Sequence, residues 1–160
     1  MRIIAFSDSH RHYQNVSKLF DQTQLTTDLY IFLGDGEGDL DNMQFLYPDK
    51  KILTVAGNCD YNSMEPFVGT IEVAGKRIIY THGHLQHVGL GMDGLKKLAK
   101  DNGADVVLFG HTHVRRCEYE DGIYYINPGS LGKPRDGLPP SYAAIDIIPA
   151  GVLCTHAELE

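Results

Sequence analysis

Short apolar runs that stop at Asp, Asn or His recur along this chain, and they constrain its fold more than any other feature. Arg2–Ser7 (RIIAFS) leads into Asp8-Ser9-His10, Leu29–Leu33 (LYIFL) into Gly34-Asp35, and Lys51–Val55 (KILTV) into Gly57-Asn58. Further on, Arg77–Tyr80 leads into His82, and Val106–Phe109 into Gly110-His111-Thr112-His113, with Asn127-Pro128-Gly129-Ser130 trailing behind. Runs this short and this apolar read as buried strands. Open α/β sheets build their sites at strand ends, so the repeated pattern requires a fold that gathers these loops.

The segments between the runs support that class. Asn15–Gln24 carries Val16, Leu19 and Phe20 at helical spacing, and a helical turn is expected near Leu40–Leu46. Strand, helix, strand, helix, strand is the signature of a parallel α/β sheet. After Pro66 the pattern turns strand-rich. Val68–Val73 and Arg77–Tyr80 flank Ala74-Gly75-Lys76 as a hairpin. Val114–Tyr119 and Ile123–Ile126 flank Glu120-Asp121-Gly122, and Ala143–Ile148 and Val152–His156 flank Pro149-Ala150-Gly151 in the same way. Gly94–Asn102 reads as a helix stopped by Gly103. With no linker between the halves, two facing sheets with helices outside fit best, in one domain over residues 1–160.

The formal charge of −7 argues against a general nucleic-acid binder, which would show a basic stripe. Bound divalent cations would reverse the sign of a carboxylate-rich cleft, so an anionic substrate stays open. The opening MRIIAFSDSH has too short an apolar run for a signal-peptide core, and no later stretch approaches a membrane span. Cys59, Cys117 and Cys154 are odd in number and widely spaced, which does not suit a disulfide framework. A reduced, cytoplasmic protein is expected.

Asp8, His10, Asp35, Asn58, His82, His111 and His113 offer the oxygen and imidazole donors that suit a pair of divalent transition metals. Asp35 suits a position between the two, because one carboxylate neutralises part of both charges. Taken singly, Asp-x-His, Gly-Asp and Gly-Asn are also turn formers. His-x-His after an apolar strand is more specific, and the ordered set at one topological place is more specific still. Gly89-Leu90-Gly91-Met92-Asp93-Gly94 satisfies a dinucleotide-binding pattern but does not directly follow a strand.

The series Asp-x-His, Gly-Asp, Gly-Asn-x-Asp, His, Gly-His-x-His resembles the calcineurin-like metallophosphoesterase superfamily. The wording THGH, GHTH and NPGS resembles its small bacterial and archaeal branch, the YfcE/MJ0936-type phosphodiesterases. The resemblance runs from Asp8 to Ser130. It implies a four-layer α/β/β/α sandwich of two mixed sheets. It also implies two divalent ions, manganese first and nickel, iron or zinc as substitutes. Asp8, His10, Asp35 and His113 match the ligands of one ion, and Asp35, Asn58, His82 and His111 those of the other. The implied reaction is hydrolysis of a small phosphodiester by in-line attack of a metal-bridging hydroxide, with no nucleophilic side chain. Family members often associate as homodimers or homotetramers.

The residue after Gly-Asn is His in many relatives and Cys59 here, followed by Asp60. A thiol reaches less far than imidazole and can ionise beside two cations, so Cys59 is a poor general acid. Modest turnover and a preference for good leaving groups are expected. His84, two residues after His82, is a candidate for contact with the substrate phosphate. Asp35, Asn58, Cys59 and His84 thus form the catalytic set. His12, His87, Arg11 and Arg135 are read as surface residues, Cys117 and Cys154 as structural, and Asn127–Ser130 as a supporting loop. Two rivals stand beside the phosphodiesterase. One is a non-enzymatic interaction scaffold of the retromer-subunit type, against which the filled ligand positions count. The other is a phosphomonoesterase or a nuclease, and the acidic charge counts against long nucleic acids.

Overall fold

The computed structural model describes residues 1–160. Two five-stranded mixed sheets stack face to face. The first runs β10-β9-β1-β2-β3, with β1 (Arg2–Phe6), β2 (Leu29–Phe32), β3 (Lys51–Thr54), β9 (Ser141–Ile148) and β10 (Gly151–Glu158). The second runs β4-β5-β6-β8-β7, with β4 (Val68–Val73), β5 (Lys76–Thr81), β6 (Val106–Phe109), β7 (Arg115–Glu120) and β8 (Ile123–Pro128). Helix α1 (Tyr13–Thr23) covers the outer face of the first sheet, and α3 (Asp93–Asp101) that of the second; α2 (Met43–Leu46) is a single short turn.

The apolar runs are continuous because both faces of each central strand are covered. In β1, Ile3 and Ala5 point between the sheets while Ile4 and Phe6 meet α1. In β2, Leu29 and Ile31 face inward and Tyr30 and Phe32 meet the helix. In β6, Val106 and Leu108 join the inter-sheet core while Val107 and Phe109 pack on α3. Helix α1 answers with Val16, Leu19, Phe20 and Thr23, the spacing of one helical stripe. Three apolar layers therefore bind four structural layers, and each full burial contributes about 1.5–3 kcal/mol before chain entropy is counted.

Strand direction then positions the loops. β1, β2 and β3 run parallel, as do β5, β6 and β8. The loops after β1, β2, β3, β5 and β6 carry Asp8 and His10, Asp35, Asn58, His82, and His111 with His113. The two sheets present these carboxyl ends to each other, so the loops meet at one rim. No helix is long and apolar enough to cross a membrane.

Departures from the expected elements are local. The anticipated turn over Leu40–Leu46 is a 3-10 turn at Glu37–Leu40 followed by α2, because buried Asp39 is tied to Ser9 and Arg11 rather than to its own helix. Lys76 belongs to β5 and pairs with Val73, leaving a two-residue turn at Ala74-Gly75 with φ of 49° and 76°. Asp121-Gly122, at 52° and 82°, repeats this between β7 and β8. The third hairpin is likewise closed by two residues, since Gly151 pairs with Ile148. Asn127 and Pro128 end β8 instead of opening a loop. His84 starts a 3-10 turn, His84–Gln86.

Candidate metal centre

The seven residues singled out by donor type meet at the shared rim, joined by a web of short distances. Asp8 Oδ1 lies 3.1 Å from His113 Nε2 and 3.8 Å from His10 Nε2, and the two imidazoles approach to 3.2 Å. On the other side, His82 Nε2 lies 3.0 Å from Asn58 Oδ1 and 3.2 Å from His111 Nδ1. Asp35 stands between the two groups: its Oδ2 is 3.7 Å from His10 Nε2 and 3.6 Å from His82 Nε2. Asp8, His10 and His113 form one cluster of donors within 4.8 Å of each other, and Asp8, Asp35 and His82 form another. Cys59 clusters in the same way with His10 and Asp35.

Second partners decide which ring nitrogens face the cluster. His82 Nδ1 donates to the Leu33 carbonyl at 2.7 Å, and His113 Nδ1 donates to the Lys133 carbonyl at 2.6 Å. In each neutral ring the proton is thus drawn outward, leaving the Nε2 lone pair pointing in. Asp8 Oδ1 is fully buried and has no hydrogen-bond partner, although His113 Nε2 sits beside it. A buried carboxylate oxygen facing an imidazole lone pair is costly unless a cation or proton joins them. This donor set of carboxylate, amide and imidazole fits divalent metal ions.

The backbone around the donors is strained in a consistent way. Asp8, His10, Asp35, His111 and His113 all have positive φ, between 46° and 68°, and Arg11 reaches 69°. Side chains rarely accept this conformation, which costs of order 1–3 kcal/mol each and collects at functional sites. It turns each side chain out of the strand direction and into the cluster. Gly57 admits the close approach: a Cβ there would lie 2.1 Å from Asp35 Oδ1.

Electrostatics follow the same partners. Burial pushes the Asp8 carboxyl up, but the adjacent His113 and His82 imidazoles outweigh it, and it ends below its ordinary value. Burial pulls His113 down, and its contacts with Asp8 leave it raised. Burial lowers His10 and His111 by more than Asp8 and Asp35 raise them. His84 is lowered by burial, then by His82 and His111. In the field of the carboxylates alone, burial and then Asp35, Asp60 and Asp8 push the Cys59 thiol up to about 11. Without cations Cys59 is therefore a neutral thiol.

The remaining assignments divide. His84 packs its ring 5.3 Å from His82 and 6.3 Å from His111, with Nδ1 buried and unpartnered. His12, His87 and Arg135 are exposed. Arg11, read as a surface residue, is exposed and also lines a cleft of about 570 Å³ beside the cluster, together with His10, Asp35, Cys59, Tyr61 and Lys133. The supporting loop has a definite task. Asn127 Nδ2 donates to the Gly110 carbonyl and Thr112 Oγ1, and Ser130 Oγ donates to the Asp8 carbonyl while accepting from Gly132 and Lys133 N–H.

Three supporting residues were given no role from the sequence, although Asp60 closes the Gly-Asn-x-Asp motif. Asp39 accepts from Ser9 Oγ and the Arg11 N–H and so holds the first loop. Asp60 accepts four backbone N–H groups, from Asp35, Gly36, Glu37 and Gly57, at 2.7–2.9 Å. Burial would raise its pKa, yet these donors hold it below the usual carboxylate range. Lys133 orients His113 through its carbonyl. Only their distant partners reveal these roles.

Residues 1–148 match the family model of the calcineurin-like phosphoesterase superfamily domain. The probable metallophosphoesterase YsnB of Bacillus subtilis is 30% identical over 148 residues, 92% of this chain and 85% of that one. Phosphodiesterase MJ0936 of Methanocaldococcus jannaschii is 29% identical over 157 residues, 87% of this chain and 89% of that one. Among solved structures, a predicted phosphoesterase from Streptococcus pneumoniae superposes with a TM-score of 0.80 at 27% identity, covering 98% of this chain and 97% of that one. Vps29 of Entamoeba histolytica superposes with a TM-score of 0.76 over the whole of both chains, and at 20% identity it shares the fold.

Proposed function

Because this chain belongs to the calcineurin-like phosphoesterase superfamily, we propose that its rim cluster hydrolyses a small phosphodiester with two divalent metal ions. Asp8, His10, Asp35 and His113 would hold one ion, and Asp35, Asn58, His82 and His111 the other. The observation that carries the reading is the unpartnered, fully buried Asp8 Oδ1 facing the His113 ring nitrogen, at the centre of converging donors from five loops. When bound, such ions supply Lewis-acid charge to a phosphoryl group and lower the pKa of a coordinated water. Manganese is the ion we expect, with nickel, iron or zinc able to replace it.

The chain's own part is positioning. Asp35 spreads one negative charge toward both donor groups, and the Leu33 and Lys133 carbonyls keep the His82 and His113 lone pairs directed inward. Cys59, at the cleft edge, offers a shorter side chain where an imidazole would protonate a leaving oxygen, so substrates with good leaving groups are favoured. His84 sits behind His82 and His111 and supports their rings, a role nearer to packing than to proton transfer. The three free cysteines suit a reduced, cytoplasmic setting.

The test is hydrolysis of an aryl phosphodiester and an aryl phosphomonoester by metal-stripped protein, with and without added manganese. Manganese-dependent turnover that favours the diester is expected, and Asp35→Asn or His111→Ala should abolish it. Full activity in either variant would refute the two-ion assignment. The likeness to Vps29 keeps one other reading in view, an interaction scaffold. Protein that binds manganese yet hydrolyses neither ester would establish that one instead.

A further inference from the structure

The 570 Å³ cleft beside the cluster is large enough for a substituent of sugar size. Its charged lining divides sharply by whether each group is already occupied. Asp35 Oδ1 accepts the Cys59 N–H, Asp39 accepts from Ser9 and Arg11, and Asp60 accepts four N–H groups. Of the remaining charges, the Arg11 guanidinium and the Lys133 ammonium have no partner in the protein, and the Glu37 carboxylate also has none. Two free cations therefore face one free anion across a cleft whose acids are otherwise satisfied.

Both cations stand on backbone that the site itself fixes. The Arg11 N–H is held by Asp39 at 3.0 Å, and its φ of 69° continues the left-handed run of the neighbouring donor His10. Lys133 follows Gly132, whose N–H bonds to the Asp8 carbonyl and whose missing Cβ would lie 2.1 Å from the Ser9 carbonyl. Thus the loops that place Asp8 and His10 also fix the backbone of Arg11 and Lys133 at the cleft. Tyr61, 84% exposed on the same lining, offers a flat aromatic face at the mouth.

We propose that Arg11 and Lys133 select a substrate with a second negatively charged group, a carboxylate or phosphate carried on one ester arm. The inference rests on the phosphodiesterase reading and names the substrate class of that site. The scissile phosphate lies at the rim cluster, and the arm extends into the cleft with its anion between the two cations. Glu37 opposes this and sets an upper limit on the preference.

The experiment compares ethyl phosphate, carboxyethyl phosphate and phosphocholine as ligands of the manganese-loaded protein by titration calorimetry. Carboxyethyl phosphate should bind roughly tenfold tighter than ethyl phosphate, the scale of one charge-assisted contact, and phosphocholine weaker than both. In Arg11→Gln/Lys133→Gln the carboxylate advantage should fall to about twofold or less, and Glu37→Gln should widen it. These substitutions spare the backbone bonds to Asp39 and from His113, so the cluster keeps its supports. Equal affinity for the carboxylate and neutral ligands, or an advantage unchanged in the double variant, overturns the proposal. Diester hydrolysis without the binding preference would sink this inference alone. The preference without hydrolysis would sink the catalytic reading and, with it, the assignment of a substrate class.

Discussion

The Asp60 carboxylate accepts the backbone N–H of Asp35 at 2.7 Å. One buttressing acid thus sets the position of the acid that stands between the two donor groups. Asp60 Oδ2 takes the N–H groups of Asp35 and Gly57, and Oδ1 those of Gly36 and Glu37.

Asp60→Asn should therefore be far from conservative. Whichever way the amide turns, its NH₂ faces two N–H donors that it cannot accept. Loss of the buttress should weaken metal binding about 10–100-fold, the range for groups that orient ligands indirectly. Competition against a chelating dye, with circular dichroism as the folding control, measures it; wild-type affinity would remove Asp60 from the site's architecture.

Gly57→Ala tests the close approach of the second and third loops. The new Cβ would sit 2.1 Å from Asp35 Oδ1 and 2.4 Å from its backbone nitrogen. Asp35 must move, so activity should fall at least tenfold while the protein loses about 1–3 kcal/mol of stability. Paired kinetic and urea-unfolding measurements check both numbers.

Cys59→His restores a longer, protonatable side chain at the cleft edge. Activity on monoesters, or on diesters with poor leaving groups, should rise about tenfold or more, within the usual range of general-acid assistance. An unchanged substrate profile would show that position 59 does not handle the leaving group.

Stability at low pH should report Asp105, well away from the cluster. The Arg77 N–H and Lys76 Nζ hold its carboxylate at 2.8 and 3.1 Å, and its pKa lies below the ordinary value, set first by that backbone bond. A depressed folded pKa stabilises above the unfolded value, near 3.8, and the gain is lost as pH falls through the lower folded value. Asp105→Asn should remove that part of the acid limb and lower Tm at neutral pH by about 1–3 °C, since the pair is partly exposed. Thermal melts between pH 2 and 7 decide it (that window is about where carboxylates titrate).

The donors were legible in the sequence because each follows a strand whose apolar run is self-evident. Asp8, Asp35, Asn58, His82 and His111 could be ordered without knowing how the sheets stack. The supports were not. Asp39 lies in a polar stretch that resembles any turn, Asp60 showed its motif but not its buttressing role, and Lys133 acts through a carbonyl that every residue has. Arg11 reads as a solvated surface residue until its loop is seen to line the cleft.

What the sequence determined by itself was therefore the set of layers and the set of candidate donors. Alternating burial makes strands and helical spacing makes covers, and both are properties of neighbouring residues. Only the tertiary structure decided how the donors face one another. The left-handed turns at Asp8, His10, Asp35, His111 and His113 are unfavourable locally and persist because distant groups hold them. Those groups are the Lys133 carbonyl, the Asp39 and Asp60 carboxylates, and the Asn127 and Ser130 side chains. Strain that is balanced across the fold leaves no mark in a local pattern.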